Sequence, residues 1–202
     1  MTAPDTSSQT PPWRRLALVA YMFLTTAAFG FLQPFVPLYL AAAGLTAGKI
    51  GIALGVGTGT VLLVQPLLGH VSDFLDARRP LLVGAALIAG GAYAAYTLAP
   101  QHSLWAFLLL TCLGVNGTQY LNAGGGVLVG RIVGARSDGG AAYAGYRVWG
   151  SVGYIIVAIG TGLLVSRALG VHPGAHLDRA ILSPVFTHGF GLFFALALAA
   201  LL

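Results

Sequence analysis

Arg147, Ser151 and Tyr154 are spaced i, i+4 and i+7, so a helix carries them on one face. A guanidinium, a hydroxyl and a phenol in one stripe can hold a small organic anion and stack against its ring. An arginine inside an apolar segment costs about 2.5–3.5 kcal/mol on insertion scales and by default marks a functional site. The bland alternative is that Arg147 snorkels to the surface from the first turn of its helix. Asn116, Gln119 and Asn122 recur every three residues in an earlier apolar segment, where helix–helix hydrogen bonding is the plain reading. Gln33 sits beside Pro34, at an expected kink. A second charged group lies in Gly69-His70-Val71-Ser72-Asp73-Phe74-Leu75-Asp76-Ala77-Arg78-Arg79-Pro80. An ion pair between Asp73 and the Arg78–Arg79 pair that exists in one of two conformations would bias the equilibrium between them.

Enzyme chemistry finds no footing. There is no Ser/His/Asp grouping, His-rich metal motif or phosphate-binding loop. His172 and His176 stand i, i+4 with Asp178 nearby, too sparse for a metal site. No cofactor is expected. Cys112 is the single cysteine, so it can form no disulfide within the chain, and its apolar setting suits a packing role.

The elements that position these residues follow from composition. Apolar residues make up 57% of the 202 and charged residues 7%, with no Glu and one Lys, Lys49. Ordinary soluble domains carry about 25% charged residues, so this chain is integral to a membrane. The net charge of +5 is scattered among apolar runs and forms no nucleic-acid patch.

A membrane-crossing helix needs about 20 mostly apolar residues. Six segments qualify: Leu16 to Ala43, Ile50 to Val71, Leu81 to Leu98, Leu104 to Val133, Ala144 to Val165, and Val185 to Leu202. With the N-terminus inside, Arg14, Arg15, Arg78, Arg79, Arg131, Arg136 and Arg147 fall on the cytoplasmic side. Lys49, Arg167 and Arg179 fall outside. The positive-inside rule thus predicts a cytoplasmic N-terminus in the cell's inner membrane. Residues 1–13 are polar and predicted to be disordered. Pro34, Pro37 and Pro66 predict kinks. Gly51, Gly55 and Gly59, and likewise Gly126, Gly130 and Gly134, form small-residue ridges that predict close helix approach. The apolar run up to Leu202 predicts the N-terminal half of a longer chain of about twelve spans, residues 14–202 forming one six-helix unit.

The Gly69–Pro80 loop resembles the loop between transmembrane helices 2 and 3 of the major facilitator superfamily. Gln65-Pro66-Leu67-Leu68-Gly69, Asn122-Ala123-Gly124 and Tyr146-Arg147-Val148-Trp149-Gly150-Ser151-Val152-Gly153-Tyr154 resemble its lactose permease-like branch. Arg-x-Trp-Gly-Ser-x-Gly looks most like the phenylpropionate permease group. Asp76 stands where the pattern usually has Gly, and Asp tolerates the left-handed backbone. The resemblance implies an all-α bundle of six transmembrane helices with a 3+3 inverted repeat, facing a second six-helix half. It implies alternating access, a gate at Gly69, Asp73, Arg78 and Arg79, and substrate contacts from Arg147 and Tyr154. Ser151, Asn122, Gln119 and Gln33 complete the candidate wall. The acidic partner found in lactose permeases aligns with Val129, so a substrate carboxylate is expected to pair with Arg147.

The function expected is secondary transport of a small organic solute, as a proton-coupled carboxylate (aromatic acid) permease. The alternatives are a sugar or nucleoside permease or drug efflux protein of the same superfamily, or a non-transporting fragment. The Gly-Pro signature of drug–proton antiporters is absent from span 5, which argues against efflux. The bilayer and a proton are the other expected partners.

Overall fold

The computed structural model describes residues 11–76, 78–134, 139–169 and 179–199. The disorder expected before residue 11, the His172/His176 pair and the chain end at 200–202 lie outside the described residues. Among the described residues, seven α-helices occur in order: α1 Pro12–Leu32, α2 Val36–Ala42, α3 Ala47–Phe74, α4 Arg78–Ala95, α5 Leu104–Gly134, α6 Gly139–Leu169 and α7 Arg179–Ala199. A 3-10 turn at Gln33–Phe35 joins α1 to α2, which together make one bent rod. Pro34 causes the bend, because it cannot donate to the preceding turn and crowds the carbonyl behind it. Pro66 sits inside α3. Helix α7 begins at Arg179, earlier than the apolar run at Val185 predicts, and carries Pro184 inside it.

Among the described residues, four of the six rods are long and apolar enough to cross a bilayer: Pro12–Ala42, Ala47–Phe74, Leu104–Val133 and Tyr143–Arg167. At 18 residues, α4 reaches about 27 Å at 1.5 Å per residue, short of a full hydrocarbon core of about 30 Å. Its Leu82, Ala85, Ala86, Ala89 and Tyr93 are buried. The long rods instead turn large apolar side chains outward, among them Leu62, Leu63, Trp105 and Leu164. In water such a surface would aggregate; in a bilayer it is the lipid face.

Packing pairs α1 with α6, α3 with α5, α4 with both α5 and α7, and α1 with α7. Lipid tails are as apolar as leucine, so these contacts rest on close van der Waals fit and internal hydrogen bonds. At Gly30 a Cβ would stand 2.7 Å from the Tyr154 carbonyl oxygen, and at Gly153 one would stand 2.5 Å from that of Phe23. Those two glycines let α1 and α6 touch backbone to backbone. The predicted ridge at Gly51, Gly55 and Gly59 behaves differently: a Cβ there meets nothing within 4 Å. That stripe faces away from the other described elements. On α5 the tight positions include Gly114, against Tyr93, Gly117, where a Cβ would lie 2.7 Å from the Ala85 carbonyl oxygen, and Gly125 and Gly126, against the hydroxyls of Tyr21 and Tyr143.

One end of the bundle is closed by an aromatic core of Tyr39, Tyr93, Tyr96, Phe107 and Phe186. Its polar atoms are met internally. Tyr39 OH donates to Tyr96 O at 3.0 Å, and Tyr96 OH and Thr111 Oγ1 lie 2.6 Å apart. At the same end α2 stops in a Schellman motif: Leu45 N–H reaches Leu40 O at 3.1 Å and Gly44 N–H reaches Ala41 O at 2.9 Å. Gly44 has φ +85°, which a glycine adopts without strain. His102 N–H then donates to Ala43 O at 3.0 Å, tying the α2–α3 turn to the link before α5.

Candidate functional site

The residues named from spacing converge on one hollow. A cavity of about 890 Å³ lies between α1, α5 and α6, and Arg147, Ser151, Tyr154, Asn122 and Gln119 all line it. Gln33 meets the group through the Tyr154 hydroxyl, which donates to its Oε1 at 3.4 Å. Helix α6 starts at Gly139, so Arg147 stands eight residues into it, about 12 Å along the axis at 1.5 Å per residue. The helix thus starts before the apolar run at Ala144, while the stretch apolar enough to cross a bilayer, Tyr143–Arg167, starts one turn before Arg147. Its side chain is exposed to the cavity, and no carboxylate lies within 4.0 Å of it among the described residues. A guanidinium so placed has the donors to take an anion, best one offering two oxygens to its fork.

Spacing alone did not reveal the α1 wall. Met22, Thr26 and Phe29 line the cavity opposite α6. The Phe29 and Tyr154 rings lie 6.1 Å apart, centroid to centroid, at 43°. They form an aromatic edge about two turns from Arg147. Thr26 Oγ1 lies 2.6 Å from Met22 O and 2.7 Å from Gly150 O, so its single proton is shared between an intrahelical and an interhelical acceptor. A helical TTAAFG stretch with Phe29 one turn after Thr25 carries no polar stripe, so no sequence signal set it apart from packing.

The three-residue repeat on α5 divides. Each step of three falls back about 60° around a helix, so Asn116 and Asn122 point about 120° apart. Gln119 and Asn122 face the cavity. Asn116 faces α3, where its Nδ2 donates to Thr60 Oγ1 at 2.7 Å and to Cys112 O at 2.9 Å. Gln65 Nε2 donates to Asn116 O at 3.0 Å. Val129, aligned with the missing acid, is buried against Met22 and Val133, with Tyr143 and Tyr146 packed beside it. An acid at that position would be sealed between helices.

The charge cluster sits at the α3–α4 turn. Arg78 Nη2 donates to Asp73 Oδ1. Arg131 Nη2 from α5 lies 3.6 Å from the same oxygen. Asp73 thus stitches the turn to α5, and Arg131 is a partner that sequence counting treated merely as a topology signal. Arg79 is exposed and has no ion pair among the described residues. Gly69 lies on α3, one turn before Asp73, and a Cβ there meets nothing within 4 Å. Asp76 takes φ 47°, as the left-handed turn requires.

The side chain of Arg78 is 14% exposed, whereas Asp73 and Arg131 are 61% and 64% exposed. Water and salt screen the second pair. A double-mutant cycle on Asp73 and Arg131 is expected to yield a coupling below about 1 kcal/mol that shrinks with added salt. Arg78→Ala should lower the thermal midpoint more than Arg79→Ala. Equal midpoints for those two variants would contradict this assignment.

The comparisons with known proteins give one family and one set of relatives. The family described as "MFS_1 like family" matches residues 15–201. The multidrug resistance protein MdtG of Escherichia fergusonii is 28% identical over 195 residues, covering 91% of this chain and 45% of that protein. MdtG of Citrobacter koseri is 29% identical over 185 residues, covering 86% and 43%. The Salmonella choleraesuis protein of that name is 32% identical over 122 residues, covering 55% and 29%. The chain therefore spans less than half the length of these curated relatives. No solved structure matches it.

Proposed function

The chain belongs to the MFS_1 like family of the major facilitator superfamily, and from that premise we propose that it forms a six-span half of an alternating-access transporter whose solute is a small organic anion. The carrying observation is the cavity in which Arg147 has no carboxylate partner among the described residues while Ser151, Asn122 and Gln119 offer neutral hydrogen bonds. Phe29 and Tyr154 supply the apolar edge. An aromatic carboxylate fits this arrangement, its carboxylate on Arg147 and its ring near the aromatic pair. This reading keeps the lactose permease-like branch and the phenylpropionate permease group as the likeness carried by Tyr146–Tyr154.

Two features support the inverted repeat. Exchanging spans 1, 2 and 3 for 4, 5 and 6 turns the α1–α6 contact into α5–α3, and the α4–α5 contact into α7–α1. Both pairs occur, which is what a 3+3 inverted repeat demands. Alternating access then has the Asp73–Arg78 pair stabilise the state closed at its end of the bundle, against a second six-helix half. The reading places that end, with Arg14 and Arg15, in the cytoplasm and the protein in the inner membrane. The coupling ion in this reading is a proton carried by a group outside the cavity wall, which holds no carboxylate among its lining residues.

A second reading, drug export, is favoured by the relatives named multidrug resistance protein. The missing Gly-Pro signature argued against it, yet those relatives align over most of this chain. Proteoliposome flux distinguishes the two. Labelled aromatic carboxylates, sugars, nucleosides and lipophilic cations are offered with and without a proton gradient. Carboxylate flux that Phe29→Ala weakens supports the first reading. Movement of cations alone, or of sugars alone, would overturn it.

A further inference from the structure

A second hollow, of about 400 Å³, shares no lining residue with the central cavity. Helices α3 and α4 barely touch; both lean on α5, which leaves a groove between them. Leu68 on α3 and Leu81, Gly84 and Ile88 on α4 form its walls, and Cys112 lies in its α5 floor. At the rim Ile88 is 53% and Leu113 42% exposed, so the groove opens sideways. In a bilayer that direction is hydrocarbon. The walls of the groove are apolar apart from Thr60, Asn116 and Tyr120, and a groove of this kind cannot stay empty without losing dispersion contacts.

One end of the groove is charged. Pro80 lines it, and Arg79 immediately precedes Pro80 in the first turn of α4. Asp73 is already engaged by Arg78 and Arg131, which leaves Arg79 exposed with no ion pair among the described residues. A helix N-terminus adds to its attraction for a negative group. We propose that this groove binds an anionic phospholipid, one acyl chain lying between α3 and α4 and the phosphate pairing with Arg79. The lipid then fills the gap between two helices that α5 alone holds together and buttresses the turn carrying Asp73.

Gly84 makes the proposal testable, because a Cβ there meets nothing within 4 Å. Gly84→Leu fills the groove without displacing a neighbour. Cys112, the single cysteine, reports occupancy from the floor. The purified protein is given phosphatidylglycerol or phosphatidylcholine in detergent. Retained lipid is counted by native mass spectrometry, and Cys112 labelling by N-ethylmaleimide is timed. Phosphatidylglycerol is expected to be retained roughly fivefold better, the effect of one basic residue at an anionic headgroup, and to slow labelling. Arg79→Gln removes that preference, and Gly84→Leu reduces retention of both lipids. Equal retention of the two lipids by the unaltered protein would overturn the proposal, as would a Gly84→Leu variant that keeps its lipid. Should Gly84→Leu fail to fold, the exposed Arg79→Gln decides: an undiminished preference overturns the proposal.

Discussion

Arg147→Ala is expected to cut flux of an anionic substrate, measured as kcat/KM in proteoliposomes, by about 10- to 100-fold. A hydrogen bond to a charged group contributes about 1.5–3 kcal/mol, and each 1.4 kcal/mol is tenfold. Arg147→Lys keeps the charge and loses the planar fork, so it should restore part of the activity. Thermal stability should hardly change, because the side chain is exposed and has no ion pair among the described residues. That combination separates a binding role from a packing role. Full activity toward every anion in both variants would refute the carboxylate reading and leave the drug-export reading standing.

The second large effect concerns stability. Gly153→Ala should destabilise the protein by about 1–3 kcal/mol, the usual cost of overpacking. The added methyl would lie 2.5 Å from the Phe23 carbonyl oxygen, and a backbone atom cannot swing away as a side chain can. Gly30→Ala should behave alike, since its Cβ would stand 2.7 Å from Tyr154 O. Gly160, about two turns further along α6, meets nothing within 4 Å and is the control. Gly160→Ala should be neutral or slightly stabilising, because alanine favours helix over glycine. Thermal unfolding in detergent reads all three. A Gly153→Ala midpoint equal to that of Gly160→Ala would mean that α1 and α6 do not pack this closely. Because both helices wall the cavity, Gly153→Ala should also weaken transport beyond what its stability loss explains.

The glycines show where sequence reading succeeds and where it stops. A ridge at Gly51, Gly55 and Gly59 and a contact at Gly30 and Gly153 look equally plausible along the chain. The difference between open space and a 2.5–2.7 Å approach depends on which helix lies opposite. The same holds for the polar repeat on α5. Its period says that the side chains rotate gradually, but not that Asn116 serves the α3 contact while Gln119 and Asn122 serve the cavity. Helix ends were better predicted where a breaker is chemical, as at the Schellman turn around Gly44. They were worse where apolarity faded, as at the start of α7.

By itself the sequence determined the solvent, the element type and the stripe. Fifty-seven per cent apolar residues with 7% charged ones demand a bilayer, and in a bilayer the backbone must bond within each helix. The i, i+4, i+7 spacing then places Arg147, Ser151 and Tyr154 together whatever surrounds them. The tertiary structure alone decided what faces that stripe: Phe29 and Thr26 from a helix more than a hundred residues away. It also decided that Val129 is sealed off and that Arg131 joins Asp73. Such pairings depend on which helix surfaces can approach, a property of two elements at once, and no periodicity within one element contains it.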